Sequence, residues 1–350
     1  MKYYNWNDEI EKFLKNKEEY KKDIADDWSF AIGLQDVDGL QPSKYLIETV
    51  KDHIDGLIDI DEVKERIDSY YKELKIVNKS EEEADKVSCR IKELIDEKAF
   101  TFSITELFRI HKRLFESIID DAGEIRHFNI TKQEWVLDND SVTYASYDNI
   151  DRLLEYDFNE EKKFSYKGLT VDESIAHLSV FISNIWQVHP FSEGNTRTIA
   201  VFLIKYLKTF GFDINNDLFS EKSWYFRNAL VRANYNNIKL KVYEDISYLE
   251  KFLYNLLTNS NYELKNRYLH INNNENNVIN NDIKDYSLEE QAIINMINEN
   301  PFINQDEISI RIGKSLRTVK LYMSSMKQKG IIARLNGKKA GKWIIKKEVI

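Results

Sequence analysis

The chain has 350 residues, 42% hydrophobic and 13% aromatic, enough for two or three domains with cores of their own. Three prolines and eleven glycines are too few for a turn-rich all-β fold, and a single cysteine, Cys89, excludes a disulfide framework or a cysteine zinc site. The net charge of −9 is unevenly spread: residues 308–350 carry twelve Lys/Arg against Glu348 alone, +11, which leaves −20 on residues 1–307. No apolar run approaches the ~18 residues of a membrane span, and the N-terminus lacks an apolar signal core. The expectation is a cytoplasmic protein with no membrane partner.

Residues 8–76 read as helices broken by two turns. One lies at Gly39–Pro42, with Ser43 as the N-cap of the next helix; at the other, Asp59 or Asp61 can cap residues 62–74. Glu81 to Lys98 is a charged amphipathic helix, its Glu81–Glu83 start a surface run, and Ser103 opens another helix. At 128–146 strand-like residues flank Asp138–Asp140, a hairpin signal. Long helices come next, at 148–157, 171–188, about 195–210, 221–235 and 244–258. The Asn-rich stretch 268–285 reads as a linker. Beyond it come two helices, a third basic helix at 315–329 and an alternating tail about a glycine-containing turn, which together make a winged-helix pattern.

The stretch that carries chemistry is QVHPFSEGNTRTIAVFLIKYL, residues 187–207, where one apolar helix ends and the next begins. Backbone N–H groups at a helix start, with Gly194 permitting close approach, make an anion site suited to phosphates. Glu193 can hold a divalent cation bridging phosphate oxygens, and Arg197 can bind a phosphate bidentately. His189, with an ordinary pKa of ~6.5, suits the general base for a hydroxyl nucleophile. The loop reads as a phosphoryl- or nucleotidyl-transfer site. The other histidines, His53, His111, His127, His177 and His270, read as structural, and Trp135 and Trp224 as packing residues.

The run from His189 to Arg197, HPFSEGNTR, resembles the HPFx(D/E)GNGRxxR signature of the Fic family, or Fido fold. Upstream, FRIHKRLFESIIDDAGEIR resembles the family's early helix and AGxxR turn, with Gly123 and Arg126; downstream, residues 215–235 resemble the helix closing the nucleotide pocket. The resemblance covers roughly residues 100–258. It implies AMP transfer from ATP to a Tyr, Thr or Ser hydroxyl of a target protein, and to the chain itself. His189 would be the base, Phe191 the loop's anchor, and Glu193 the Mg²⁺ (or Mn²⁺) ligand. Gly194, Asn195, Thr196 and Arg197 would hold the phosphates, with Tyr225, Asn228 and Arg232 as further ATP-pocket walls. A β-hairpin flap at Glu134, Trp135, Val136 and Leu137 would align the target by strand addition. Two positions depart from the signature: Thr196 replaces its second glycine and Ala200 its terminal arginine.

Residues 24–66 resemble the three-helix antitoxin domain that accompanies some Fic toxins, whose (S/T)xxxE(G/N) helix sets a glutamate against the second motif arginine. The matching window is Ala31 to Asp36, with Ala31 in place of Ser, Gln35 in place of Glu and Asp36 last. A rival window, Ser88 to Glu93, has Lys92 at the glutamate position. With Ala200 removing the arginine as well, glutamate-mediated self-inhibition is expected to be weak or absent. The expected architecture is mainly α: a helical antitoxin-like segment at 1–80, a Fic domain at 81–267 (core 100–258), the linker at 268–285 and a winged helix-turn-helix at 286–350. DNA, contacted by 315–329 and by Lys338, Lys339 and Lys342 on the wing, is one partner of that last module; an acidic protein surface, including the −20 body, is the other. Homo-oligomer formation stays open. The alternatives are a Fido enzyme of other nucleotide or phosphate chemistry, including removal of AMP, and a non-catalytic, nucleotide-binding, DNA-associated regulator.

Overall fold

The computed structural model describes residues 6–14, 19–212, 218–258, 260–272, 286–335 and 341–346. Most of the expected linker (273–285) and the wing residues Lys338 and Lys339 lie outside the described residues. The fold is mainly helical. The N-terminal part comprises α1 (Trp6–Leu14), α2 (Glu19–Gly33), a 3₁₀ turn at Leu34–Asp38, α3 (Lys44–Ile54) and α4 (Ile60–Glu73). Its starts obey the capping rule: the Ser43 side chain accepts the Leu46 N–H, and Asp59, not Asp61, accepts that of Glu62.

The central part holds α5 (Lys79–Asp96), α6 (Ile104–Phe115), α7 (Ile150–Lys163), α8 (Val171–Val188), α9 (Asn195–Lys208), α10 (Leu218–Ala233) and α11 (Ser247–Thr258). Thr170 and Glu173 form a capping box at the start of α8. Helix α9 is the axis of the domain, since every residue from Asn195 to Leu207 is buried. Helices α5, α6 and α8 pack around it, and α2 packs on α5 and α10. Buried Lys205 anchors the far half of α9, donating to the Leu94 and Glu97 carbonyls at the end of α5.

The C-terminal module comprises α12 (Leu288–Glu299), α13 (Gln305–Arg311), α14 (Leu316–Gln328), β1 (Ile332–Leu335) and β2 (Lys342–Ile345). The strands pair antiparallel, Ile332 opposite Ile345 and Leu335 opposite Lys342, as the winged-helix pattern requires. Buried Trp343 donates its indole N–H to the Ile303 carbonyl and pins the wing to the helices. The module rests on the central part: Val171 N–H donates to the Tyr286 carbonyl at 2.7 Å, and the Asn295 amide to the Leu257 carbonyl at 3.0 Å. Among the described residues, no helix is long and apolar enough to cross a membrane.

One expected element differs. Residues 128–146 form no β-ladder; they fold as a loop around a 3₁₀ turn at Trp135–Leu137. Asp138 and Asn139 take left-handed φ values of 55° and 66°, and Glu134 exchanges backbone bonds with Asp140 and Asn139. Val136 and Leu137 are both buried although adjacent in sequence. Two consecutive inward side chains break the alternation a strand needs, so the hairpin reading fails at this turn.

Candidate active site

The site is built where α8 stops and α9 starts. His189 is the C-cap of α8, with φ 49°. A left-handed conformation outside glycine costs about 1 kcal/mol and is held here by its surroundings. Arg126 does much of the holding. Its buried guanidinium donates to the carbonyls of His189, Val188, Phe128 and Ala145, tying the end of α8 to both ends of the 128–146 loop. The Arg126 backbone N–H also donates to the Pro190 carbonyl.

The His189 Nδ1 lies 3.1 Å from the Trp186 carbonyl. A carbonyl only accepts, so Nδ1 carries the proton and Nε2 is the basic nitrogen. Nε2 is buried with no partner among the described residues. Burial, then the positive charges of Lys132, Arg126 and Arg227, hold the imidazole well below its ordinary pKa, so it is neutral at pH 7. The Tyr144 ring lies 4.3 Å from the imidazole.

Beyond it the loop is held from inside. Phe191 is buried and stacks on His111 at 3.7 Å. The His111 Nδ1 accepts the Gly123 N–H, so its Nε2 donates to the Glu193 carbonyl. Burial pushes His111 down to about 4, which keeps it the neutral strut expected of a structural histidine. Asn195 uses its side-chain oxygen on the Phe191 N–H and its amide on the Phe191 carbonyl. Both bonds go to the Phe191 backbone, so this side chain shapes the loop; the second amide N–H takes no part in them. Gly194 (φ 73°) caps α9; a Cβ there would sit 2.3 Å from the Phe115 ring, which excludes other residues. The first helical bond of α9 is Thr198 N–H to the Gly194 carbonyl, so the N–H groups of 195–197 precede the first turn. Thr196 is helical and its hydroxyl accepts the Trp186 indole N–H at 3.0 Å. Ala200 is fully buried in α9.

Arg197 was expected to face phosphates, but here it is engaged from three sides. Its Nη1 donates to Gln35 Oε1 at 3.1 Å, its Nη2 pairs with Glu83 at 2.7 Å, and Asp38 lies 2.8 Å from Nε. The guanidinium also stacks over Phe115. The Ala31–Asp36 window thus does reach the motif through buried Gln35, whose amide is steadied by the Ala31 carbonyl; Asp36 is exposed. The rival window does not: Lys92 pairs with Asp27 and Asp96. Position 35 carries no acid, and no motif in the sequence marks Asp38 or Glu83, the latter lying in a run of glutamates that reads as surface.

Glu193 is 64% exposed and ion-paired to Lys132 at 2.8 Å. Among the described residues no three His, Cys, Asp or Glu converge as a metal cage. One carboxylate beside an anion-binding helix start fits Mg²⁺, which keeps several waters and takes its remaining ligands from substrate phosphates.

Of the four flap residues, only Trp135 is exposed; Glu134, Val136 and Leu137 are buried. Glu134 is gripped bidentately by Arg227 at 2.5 and 2.9 Å, and the Val136 carbonyl is taken by the Ile271 N–H. Tyr225, Asn228 and Arg232 share another face of α10: Tyr225 bonds the Tyr248 carbonyl, Asn228 bonds Asn266, and Arg232 lies by Asp245 and Tyr248. No described contact joins those three to the 189–197 loop. The α10 residue that approaches the site is Arg227, which the signature did not mark.

Residues 101–207 match the Fic/DOC family, and residues 290–333 match a winged helix-turn-helix DNA-binding family. A protein adenylyltransferase of Bartonella henselae (strain Houston 1) is 28% identical over 160 residues, 43% of this chain and 29% of that protein. The adenylyltransferase VbhT of Bartonella schoenbuchensis is 26% identical over 117 residues, 33% of this chain and 23% of its own length. The chain therefore spans less than a third of either relative. With the loop geometry, these matches identify residues 101–207 as a Fic/DOC family domain, joined in the same chain to a C-terminal winged helix-turn-helix.

Proposed function

We propose that the chain is a protein adenylyltransferase that moves AMP from ATP to a hydroxyl of a target protein and of itself. The observation that carries this is the His189 imidazole: neutral, fixed in one tautomer, its basic Nε2 unpartnered beside the N-terminus of α9. In the reaction, the target oxygen forms a bond to the α-phosphorus as the bond to the bridging oxygen of pyrophosphate breaks. The hydroxyl proton goes to His189 Nε2. The N–H groups at the start of α9 and Arg197 hold the phosphates, which is catalysis by positioning and charge. A divalent cation at Glu193, when bound, would neutralise phosphate charge. Incubating the purified chain with ATP and Mg²⁺ beside His189→Ala tests the reading by intact mass. One added AMP in the unaltered chain alone is expected; an added phosphate would point instead to the Fido variants of other chemistry.

Arg197 sets the regulation. Self-inhibition through a motif glutamate is absent because position 35 is glutamine, yet Asp38 and Glu83 set two carboxylates where phosphates would bind. We read this as a restrained state that nucleotide must displace. The winged helix, by the same kind of reading, binds DNA: Arg317, Lys320 and Lys327 lie exposed along α14, and neither Arg317 nor Lys320 pairs with a described residue of the acidic body.

A further inference from the structure

A cavity of about 380 Å³ opens between α7, α8 and the backbone of residues 143–145. Hydrogen bonds fix its wall. The Gln187 amide donates to the Thr143 carbonyl at 3.2 Å, and the Ala145 N–H to the Gln187 carbonyl at 3.3 Å. Two of the lining residues lead directly to the base. Val188 precedes His189 in the chain, and the Tyr144 ring lies 4.3 Å from the imidazole. A peptide with a hydroxyl at His189 Nε2 can therefore reach this cavity with a side chain a few residues away.

Among the residues that line it, Asp157 alone is an acid or a base of the Asp, Glu, Lys, Arg or His kind. Asn184 donates to its carboxylate, and burial pushes Asp157 up to about 6 with no charged neighbour contributing. The cations of adjoining segments are engaged elsewhere. Arg152 bonds the Asn149 side chain, Lys163 pairs with Glu160, and buried Arg126 spends its guanidinium on backbone carbonyls. Lys162 stands five residues on, at another face of α7. A half-buried carboxylate with one neutral donor keeps acceptor sites that an entering cation would satisfy. The walls suit a long stem: Leu153 and Val188 are apolar, and Tyr156, beside Asp157, is 63% exposed. Arginine and lysine bury their stems on such surfaces and carry the charge at the end, where an aromatic ring also attracts it.

We propose that this cavity is a specificity pocket for the target protein, taking a basic side chain that lies within a few residues of the hydroxyl to be modified. The inference rests on the transfer reading above. Asp157 holds the cationic head, and Leu153 and Tyr156 cover the stem. The same arrangement rejects the alternatives. An acidic side chain would meet Asp157 as a like charge, and an apolar one would cut a carboxylate off from water without pairing it.

The test uses the full chain and fluorescent glycine–alanine peptides with a central tyrosine and one arginine, set at each of the nearest positions on either side. Partner peptides carry norleucine or glutamate in place of the arginine. Binding is read by anisotropy. At one spacing the arginine peptide is expected to bind about tenfold tighter than its norleucine partner. Asp157→Asn should erase that preference, and Asp157→Lys should transfer it to the glutamate peptide. Melting temperatures close to that of the unaltered chain show that both variants fold. A preference that survives Asp157→Asn would reflect the acidic surface at large and overturn the proposal. So would equal binding of arginine and norleucine peptides at every spacing, or no binding of any peptide. His189→Ala is expected to keep the preference. Failed AMP transfer by the unaltered chain, with the preference intact, therefore counts against the transfer reading alone.

Discussion

His189 gathers constraints that a lone histidine would not need: a left-handed backbone, one carbonyl that fixes its tautomer, and three cations that depress its pKa. A depressed pKa keeps the base competent as pH falls, so the acid limb of kcat/KM for AMP transfer is expected well below 6.5. Burial is the largest cause and Lys132 the next. Removing that cation makes the imidazolium easier to form and raises the pKa. Lys132→Met should therefore move the acid limb to higher pH, whereas Lys132→Arg should leave it in place. A pH–rate profile of both variants checks this, and an unmoved limb in Lys132→Met would show that the charge does not reach the base. Nothing in the signature pointed to Lys132, because it lies 57 residues upstream and meets the motif only through the fold. The loop that holds His189, Glu193, Gly194 and Arg197 was legible, since its turn and its helix start are local to a few residues.

Among the elements, α9 shows what packing adds to sequence. Its N-terminus offers N–H groups and Arg197, but the 3₁₀ turn after α2 and the start of α5 close over that arginine. Phosphates and carboxylates compete for one guanidinium, so removing a carboxylate should favour the nucleotide. Asp38→Asn and Glu83→Gln are each expected to raise ATP affinity about tenfold, or about 1.4 kcal/mol. Titration calorimetry measures it, and unchanged affinity in both would mean that Arg197 does not gate the site. Glu83 was read as surface because a run of glutamates opening a helix is usually solvated. Only the approach of α5 to α9 brings it to Arg197. In the 128–146 loop packing works against local preference. Its residues have strand propensity, but the Glu134–Arg227 pair and the burial of Val136 and Leu137 outweigh that propensity.

At the scale of the whole molecule, an acidic helical body carries a basic winged helix whose exposed α14 face does not turn back onto it. The module instead meets the body through α12 and through the close approach of Gly211 to Ile312. A cleft of about 730 Å³ separates the turn after α13 from α5 and the end of α9. DNA binding by this face should depend steeply on salt. Replacing Arg317 and Lys320 with Ala should reduce the slope of log K against log salt by about 1 for each phosphate that is no longer neutralised. Electrophoretic or anisotropy titrations over a salt series decide it, and undetectable binding at low salt would turn the module into a protein-docking one.

The sequence by itself determined the helical class, the helix starts, the loop of the Fic signature and the winged-helix pattern. Each of these depends on neighbours within a few residues: a cap and its N–H, a turn and its glycine, a helical period. Tertiary structure decided which groups face that loop. Lys132, Arg227, Asp38 and Glu83 reach it from distant segments, and Tyr225, Asn228 and Arg232 are drawn to another face of α10. Electrostatics acts through space whereas sequence motifs act along the chain, and a buried charge takes its partner from whichever helix the packing brings near.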